Sequence, residues 1–149
     1  MNRHRILIIA ATAATLAAGF ARAYAQDLSA SPDIVRGSVD GHAYRNGGVG
    51  DAEAAQMHRH TSDYSLLVGF SEGRHNAYLA SVKLDVYDTA GKDVFSLRDA
   101  GPLVDVQLPA GRYRVVARAG GVARSAHVDV KRGEPARLYL HWAKDPAAA

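Results

Sequence analysis

The sequence predicts an all-β sandwich that carries one short helix and is preceded by a signal peptide. Three observations lead there. After about residue 64 the apolar side chains recur with a period of two, the mark of strands that bury one face. Clusters of Gly, Pro and Asp interrupt these runs at intervals of roughly 8 to 12 residues, as in sandwiches and barrels. An uncharged apolar run, residues 6–20, lies directly behind Arg3 and Arg5.

The first 25 residues have the order of a secretory signal. A basic start is followed by an apolar stretch of about 15 residues and then by Ala23 and Ala25, small side chains suited to a signal peptidase. Cleavage after Ala25 leaves Gln26 at the new N-terminus. A membrane-spanning helix needs roughly 20 apolar residues, and this run is shorter and closes on Arg22. The sequence holds no cysteine, so no lipid thioether is available near the cleavage site. The expectation is a periplasmic or secreted protein without a stable membrane anchor after cleavage.

Cleavage also changes the charge balance. Arg3, Arg5 and Arg22 depart with the signal, leaving 15 basic side chains against 15 acidic ones. The apparent pI of 9.3 therefore belongs to the precursor, and the basic footprint expected of a nucleic-acid-binding protein is missing. Without disulfides the domain must rest on its core, which a chain of this size can build by burying roughly 65% of its unfolded surface.

Residues 26–37 are polar, contain Pro32 and show no sustained period, so a loose leader with at most a short edge strand is expected. A first strand is predicted over 38–44. The loop NGGVG (46–50) follows, and Asp51 then stands at a helix N-cap with Glu53 in the first turn, giving one helix over 51–60. Tyr64, Leu66, Val68 and Phe70 are expected inward on the next strand, with Ser65, Leu67, Gly69 and Ser71 outward. Val82, Leu84 and Val86 form another strand, and DTAGK (88–92) turns it into 94–97. Val104, Val106 and Leu108 precede a turn at Pro109, Ala110 and Gly111. Tyr113, Val115 and Ala117 then face in, Gly120-Gly121 closes a hairpin into 122–130, and KRGEP (131–135) leads to a final strand burying Leu138, Leu140 and Trp142. The sandwich is thus assigned to 38–142, with a disordered tail over 143–149.

The stretch Leu108, Pro109, Ala110, Gly111, Arg112 and Tyr113, with the Gly120-Gly121 turn and Gly133-Glu134 before the last strand, resembles the carboxypeptidase regulatory-like domain of the transthyretin (prealbumin-like) sandwiches. The resemblance covers 78–142 and implies a two-sheet Greek key. Such domains act as accessory, adhesive or binding modules and share no catalytic residues, so fold alone assigns no activity. The segment before residue 78 resembles uncharacterised exported proteobacterial proteins that carry this domain.

GFSEG (69–73) puts Ser71 in a nucleophile-elbow pattern, but no helix period follows it, and a surface β-turn is expected instead. The glycines of 46–50 could cradle a phosphate before a helix, yet Asp51 and Glu53 would compete at the same place. The C-terminal end lacks the Tyr-Arg-Gly-Ser of the transthyretin-like hydroxyisourate hydrolases. Asp85 and Asp88 are expected on solvated faces. Met57, His58 and His60, with His42 and His75 as more distant candidates, supply thioether and imidazole groups suited to copper. Only two or three of these are local, so no metal or other cofactor is expected. The sequence therefore predicts a non-enzymatic exported module that binds a protein or an envelope polymer. Its alternative is a periplasmic metal-handling protein using Met57, His58 and His60.

Overall fold

In the computed structural model, residues 33–59 and 61–144 are described. The signal peptide with its Ala25–Gln26 junction, the leader up to Pro32, His60 and the tail from residue 145 lie outside them.

The first strand expectation is replaced by a hairpin. β1 (Val35–Val39) pairs antiparallel with β2 (His42–Gly47). Between them Asp40 and Gly41 both have positive φ, 49° and 81°. This two-residue turn matches the twist of the flanking strands, and Asp-Gly is among its favoured sequences, a signal that reading 38–44 as one strand passes over. The leader correspondingly ends earlier than expected, with Ile34 already buried.

One helix follows, α1 (Asp51–Arg59), and then a single 3-10 turn, Thr61–Asp63. Ala54 N–H donates to Gly50 carbonyl at 3.1 Å, so Gly50 rather than Asp51 stands at the cap. The remaining strands are β3 (Leu66–Glu72), β4 (Ala77–Tyr78), β5 (Val82–Tyr87), β6 (Asp93–Ala100), β7 (Leu103–Val106), β8 (Gly111–Ala119), β9 (Val122–Val130) and β10 (Ala136–Trp142).

They form two sheets. Sheet A has the order β1-β2-β7-β3-β10, with β4 pairing the end of β3, and sheet B has the order β6-β5-β8-β9. All pairings are antiparallel except β3 with β10, which run parallel with Leu66 opposite Ala136 and Glu72 opposite Trp142. A parallel pair cannot be joined by a tight turn. Here the intervening chain passes through sheet B and returns.

The inner faces meet in one core that includes Val68, Phe70, Leu84, Val86, Phe95, Val104, Val115 and Trp142. Burying such side chains contributes roughly 1.5–3 kcal/mol each before the cost of ordering the chain. Trp142 is 1% exposed, as its alternation with His141 predicts. Its ring meets Phe70 edge-on with centroids 6.3 Å apart, and Nε1 donates to Val122 carbonyl at 3.2 Å. Tyr113 O–H donates to Pro109 carbonyl at 2.8 Å, so the Pro109 turn is tied to the strand it starts.

The period-two reading fails most clearly on β3. Every residue from Leu66 to Phe70 is buried, including Leu67 and Gly69, which were expected outward. For Gly69 the cover is the Tyr139 ring; for Leu67 it is α1, which lies on the outer face of sheet A. Ala54 and Met57 of the helix form a second apolar cluster with Ile34, Leu67 and Leu103. Tyr64 precedes β3 and is only half-buried, so it is not a strand core residue.

Candidate functional site

The outer faces of the two sheets carry the side chains not consumed by the core. On sheet A the part under α1 is closed. Arg45 of β2 and Asp105 of β7 are cross-strand neighbours, 2% and 0% exposed. Arg45 Nε donates to Asp105 Oδ2 at 2.8 Å, Nη2 donates to the same oxygen, and Nη2 also reaches the Met57 carbonyl at 2.9 Å. The guanidinium carbon stands 5.0 Å from the centre of the Tyr64 ring. Burial pushes the Asp105 carboxyl above its ordinary range, and the hydrogen bonds and charge of Arg45 only partly oppose that. Neither residue is singled out by sequence pattern. Their alternation with Tyr44 and Val104 marks an outward face, but a helix covering that face leaves no local signal.

Beyond the helix the same face opens. Ser71 of β3 is directly opposite Tyr78 of β4 on one side and His141 of β10 on the other. Ser71 Oγ and His141 Nδ1 share a hydrogen bond of 3.0 Å. One step along, Tyr139 is opposite Gly69, and a Cβ on Gly69 would come within 2.6 Å of the Tyr139 ring. Glycine at 69 thus lets the ring lie against the sheet. Tyr78 and Tyr139 are 50% and 60% exposed.

Ser71 is therefore a strand residue rather than part of a β-turn, which corrects the sequence expectation; the turn begins after Glu72. Its backbone lies in the ladder between β4 and β10, not on the sharp strand-to-helix bend of the G-x-S-x-G elbow. Asp85 is also corrected. It is buried on β5, accepting hydrogen bonds from Ser96 Oγ and Arg118 Nη1 at 2.8 Å, with Lys83 Nζ at 3.6 Å. Asp88 Oδ1 accepts the N–H groups of Ala90 and Lys92 at 2.9 Å and so shapes the β5–β6 turn.

The glycine loop before α1 is occupied by its own carboxylate. Glu53 Oε2 accepts the N–H groups of Gly48 and Val49 at 3.0 Å, the place an anionic ligand would take. Of the histidine and methionine candidates, Met57 is fully buried in the apolar cluster beneath the helix. His58 is exposed near the helix end and His60 lies outside the described residues. His42 Nδ1 is 3.1 Å from the Gln107 carbonyl, and His75 lies exposed in the turn after β3. Among the described residues no three His, Cys, Asp or Glu side chains are grouped to hold a metal ion.

On sheet B the outer face is mostly polar, with Asp85 and Val116 buried in its middle row. β8 sets Arg112, Arg114 and Arg118 along it at every second or fourth position. Arg112 Nε donates to Asp129 Oδ1 of β9 at 2.8 Å, an exposed pair. The Arg114 guanidinium carbon stands 4.6 Å above the Tyr87 ring.

In comparison with known proteins, no family model matches this chain and no curated protein matches it. The described residues form a two-sheet β-sandwich domain with one short helix.

Proposed function

We propose that this chain is a non-enzymatic binding module, exported and freed of its signal peptide at Ala25–Gln26, that engages a protein or an envelope polymer through the open part of sheet A. The single observation behind this reading is the run of Tyr78, Ser71, His141 and Tyr139 across three neighbouring strands. Exposed aromatic side chains scattered singly carry no message, whereas a contiguous group rimmed by polar side chains is the usual composition of a contact surface. Tyrosine gives large contact area with few torsions to freeze, and its hydroxyl keeps the patch wettable. The prealbumin-like, carboxypeptidase regulatory-like resemblance over 78–142 is part of the same proposal, since domains of that kind are accessory and adhesive modules. Metal handling draws less support, because the Met57 thioether would have to leave a sealed apolar cluster to reach an ion.

The test is cosedimentation of the purified protein with isolated cell-envelope polymer, alongside affinity capture from envelope extract. Gly69→Val, which lifts the Tyr139 ring, and the pair Tyr78→Ala with Tyr139→Ala should abolish retention while leaving the fold intact by circular dichroism. Retention equal to wild type in both variants would remove this surface from consideration.

A further inference from the structure

We infer that β1 is a self-pairing edge: two copies of this chain join antiparallel about Gly37, so that their A sheets run together as one. Among the described residues β1 is an end strand of sheet A, and four of its five residues are exposed. Such a strand offers N–H and C=O groups to any second strand that fits, and proteins ordinarily blunt it with charge, bulges or cover. The other end strands show those devices. β10 is laced to β9, since Arg124 Nε donates to the His141 carbonyl at 3.1 Å and Trp142 Nε1 to the Val122 carbonyl at 3.2 Å. β6 shifts register twice against β5 and carries Asp93, Arg98 and Asp99, and β9 bears Arg124, His127 and Asp129. β1 pairs with β2 over five consecutive residues without a shift, and its one charged residue is Arg36.

The groups on its free side follow from the hairpin. Val39 and His42 flank the two-residue turn as a hydrogen-bonded pair, and such pairs alternate along an antiparallel ladder. Gly37–Tyr44 and Val35–Asn46 are the next two, so Arg36 and Ser38 turn their N–H and C=O groups away from β2. The far side of β2 has the matching phase. Ala43, opposite Ser38, accepts the Gln107 N–H at 2.9 Å, so its carbonyl points away from β1.

A two-fold axis at Gly37 makes Arg36 and Ser38 of the two copies into two hydrogen-bonded pairs. Val35 then faces Val39, and Gly37 faces itself. An axis at Arg36 would oppose like charges, and one at Ser38 would draw Asp40, at φ 49°, into the ladder. The inner face suits the same register. Val39 and Tyr44 pack at the margin of the core, Val35 is 54% exposed, and a Cβ on Gly37 would come within 2.8 Å of the Tyr44 ring that leans over it. Pairing covers Val35 with Val39 of the second copy, and the bare Gly37 leaves room for both rings. Charge neither drives nor opposes this. Each Arg36 lies diagonal to the other Arg36 and to Asp40 of the second copy, Asp33 falls opposite Gly41, and Arg45 is committed to Asp105. A strand of another protein would find the same backbone groups, but the match of β1 to its own sequence favours a second copy.

Sedimentation velocity of the purified protein at rising concentration tests this, with monomer expected to give way to dimer. Ser38→Pro removes one edge donor per copy and no β1–β2 bond, a position where proline is tolerated. It should weaken the dimer about tenfold or more. Ser38→Arg sets arginine against Arg36 on both sides of the axis and should weaken it about fivefold, while Arg36→Glu with Ser38→Arg should restore wild-type association. Each variant should melt as wild type in dilute solution; if Ser38→Pro does not fold, the charge exchange decides alone. A protein that stays monomeric at millimolar concentration, as it would were a strand of another protein the true occupant, overturns the proposal. So does a dimer undiminished by both Ser38 variants, or one weakened by Ser38→Arg that the double variant fails to restore.

Discussion

Two arginine–aspartate pairs, one on each outer face, show what a covering helix changes. Arg45–Asp105 on sheet A and Arg112–Asp129 on sheet B both join neighbouring strands through a guanidinium Nε at 2.8 Å. The first pair is sealed beneath α1, and the side chains of the second are 65% and 57% exposed. Their carboxyls move in opposite directions. Burial raises Asp105, whereas the Arg112 hydrogen bond lowers Asp129. In water such a bond favours the carboxylate at little desolvation cost; under the helix the cost exceeds the gain. The same two residue types thus form an enforced buried pair on one face and an optional surface pair on the other.

The contrast breaks most directly at Asp105. Asp105→Ala leaves the Arg45 guanidinium buried without its counter-charge and should cost about 3–5 kcal/mol in chemical denaturation. Arg45→Met combined with Asp105→Leu should recover most of that loss; a double variant as unstable as the single one would show that the pair itself is indispensable. Next in size is the cover. Met57→Ala opens a cavity between α1 and Leu67, with an expected loss of about 2–5 kcal/mol by the same measurement. A value near zero would mean that the helix does not seal the face.

The smaller effects concern pH. Because the folded Asp105 carboxyl is raised above its unfolded value near 3.9, the native state holds its proton more tightly. Stability therefore falls as pH rises from the unfolded value to the raised folded one, and the loss is constant above it. Lowering the pH from about 7 towards the unfolded value should therefore stabilise wild type relative to the Arg45→Met, Asp105→Leu variant, in denaturation series run side by side. Asp129 has the opposite sign. Its folded value is depressed, so its contribution is present above about 3.9 and lost as pH falls through the lowered value. Exposure screens that contribution, and Asp129→Ala should leave the melting temperature at neutral pH unmoved.

Much of this molecule was legible in its sequence. The strands from Val82 onward, the turns at 88–92 and Gly120-Gly121, and the inward row Tyr113, Val115 and Ala117 follow from period and turn chemistry, both of which are local. Asp88 and Leu67 show where local reading stops. Asp88 sits in a turn whose N–H groups it accepts, which the turn sequence itself indicates. Leu67 alternates outward like Ser65 and is buried only because a helix from another part of the chain lies on it. The Ser71–His141 and Arg45–Asp105 contacts join residues 70 and 60 positions apart, and strand order between sheets has no counterpart in spacing. For the same reason the GFSEG pattern pointed at Ser71 but not at its partners.

The parallel pairing of β3 with β10 has a kinetic consequence. Leu66 meets a partner 70 positions later in the chain, and the whole of sheet B must be laid down between the two. Loops of that length close slowly, and folds dominated by such distant contacts reach the native state in milliseconds to seconds rather than microseconds. Until β10 arrives, β3 presents one unpaired edge beside exposed Phe70, a template for another copy of itself. That closure brings Trp142 against Phe70, so the fluorescence of this sole tryptophan is placed to report it as it happens.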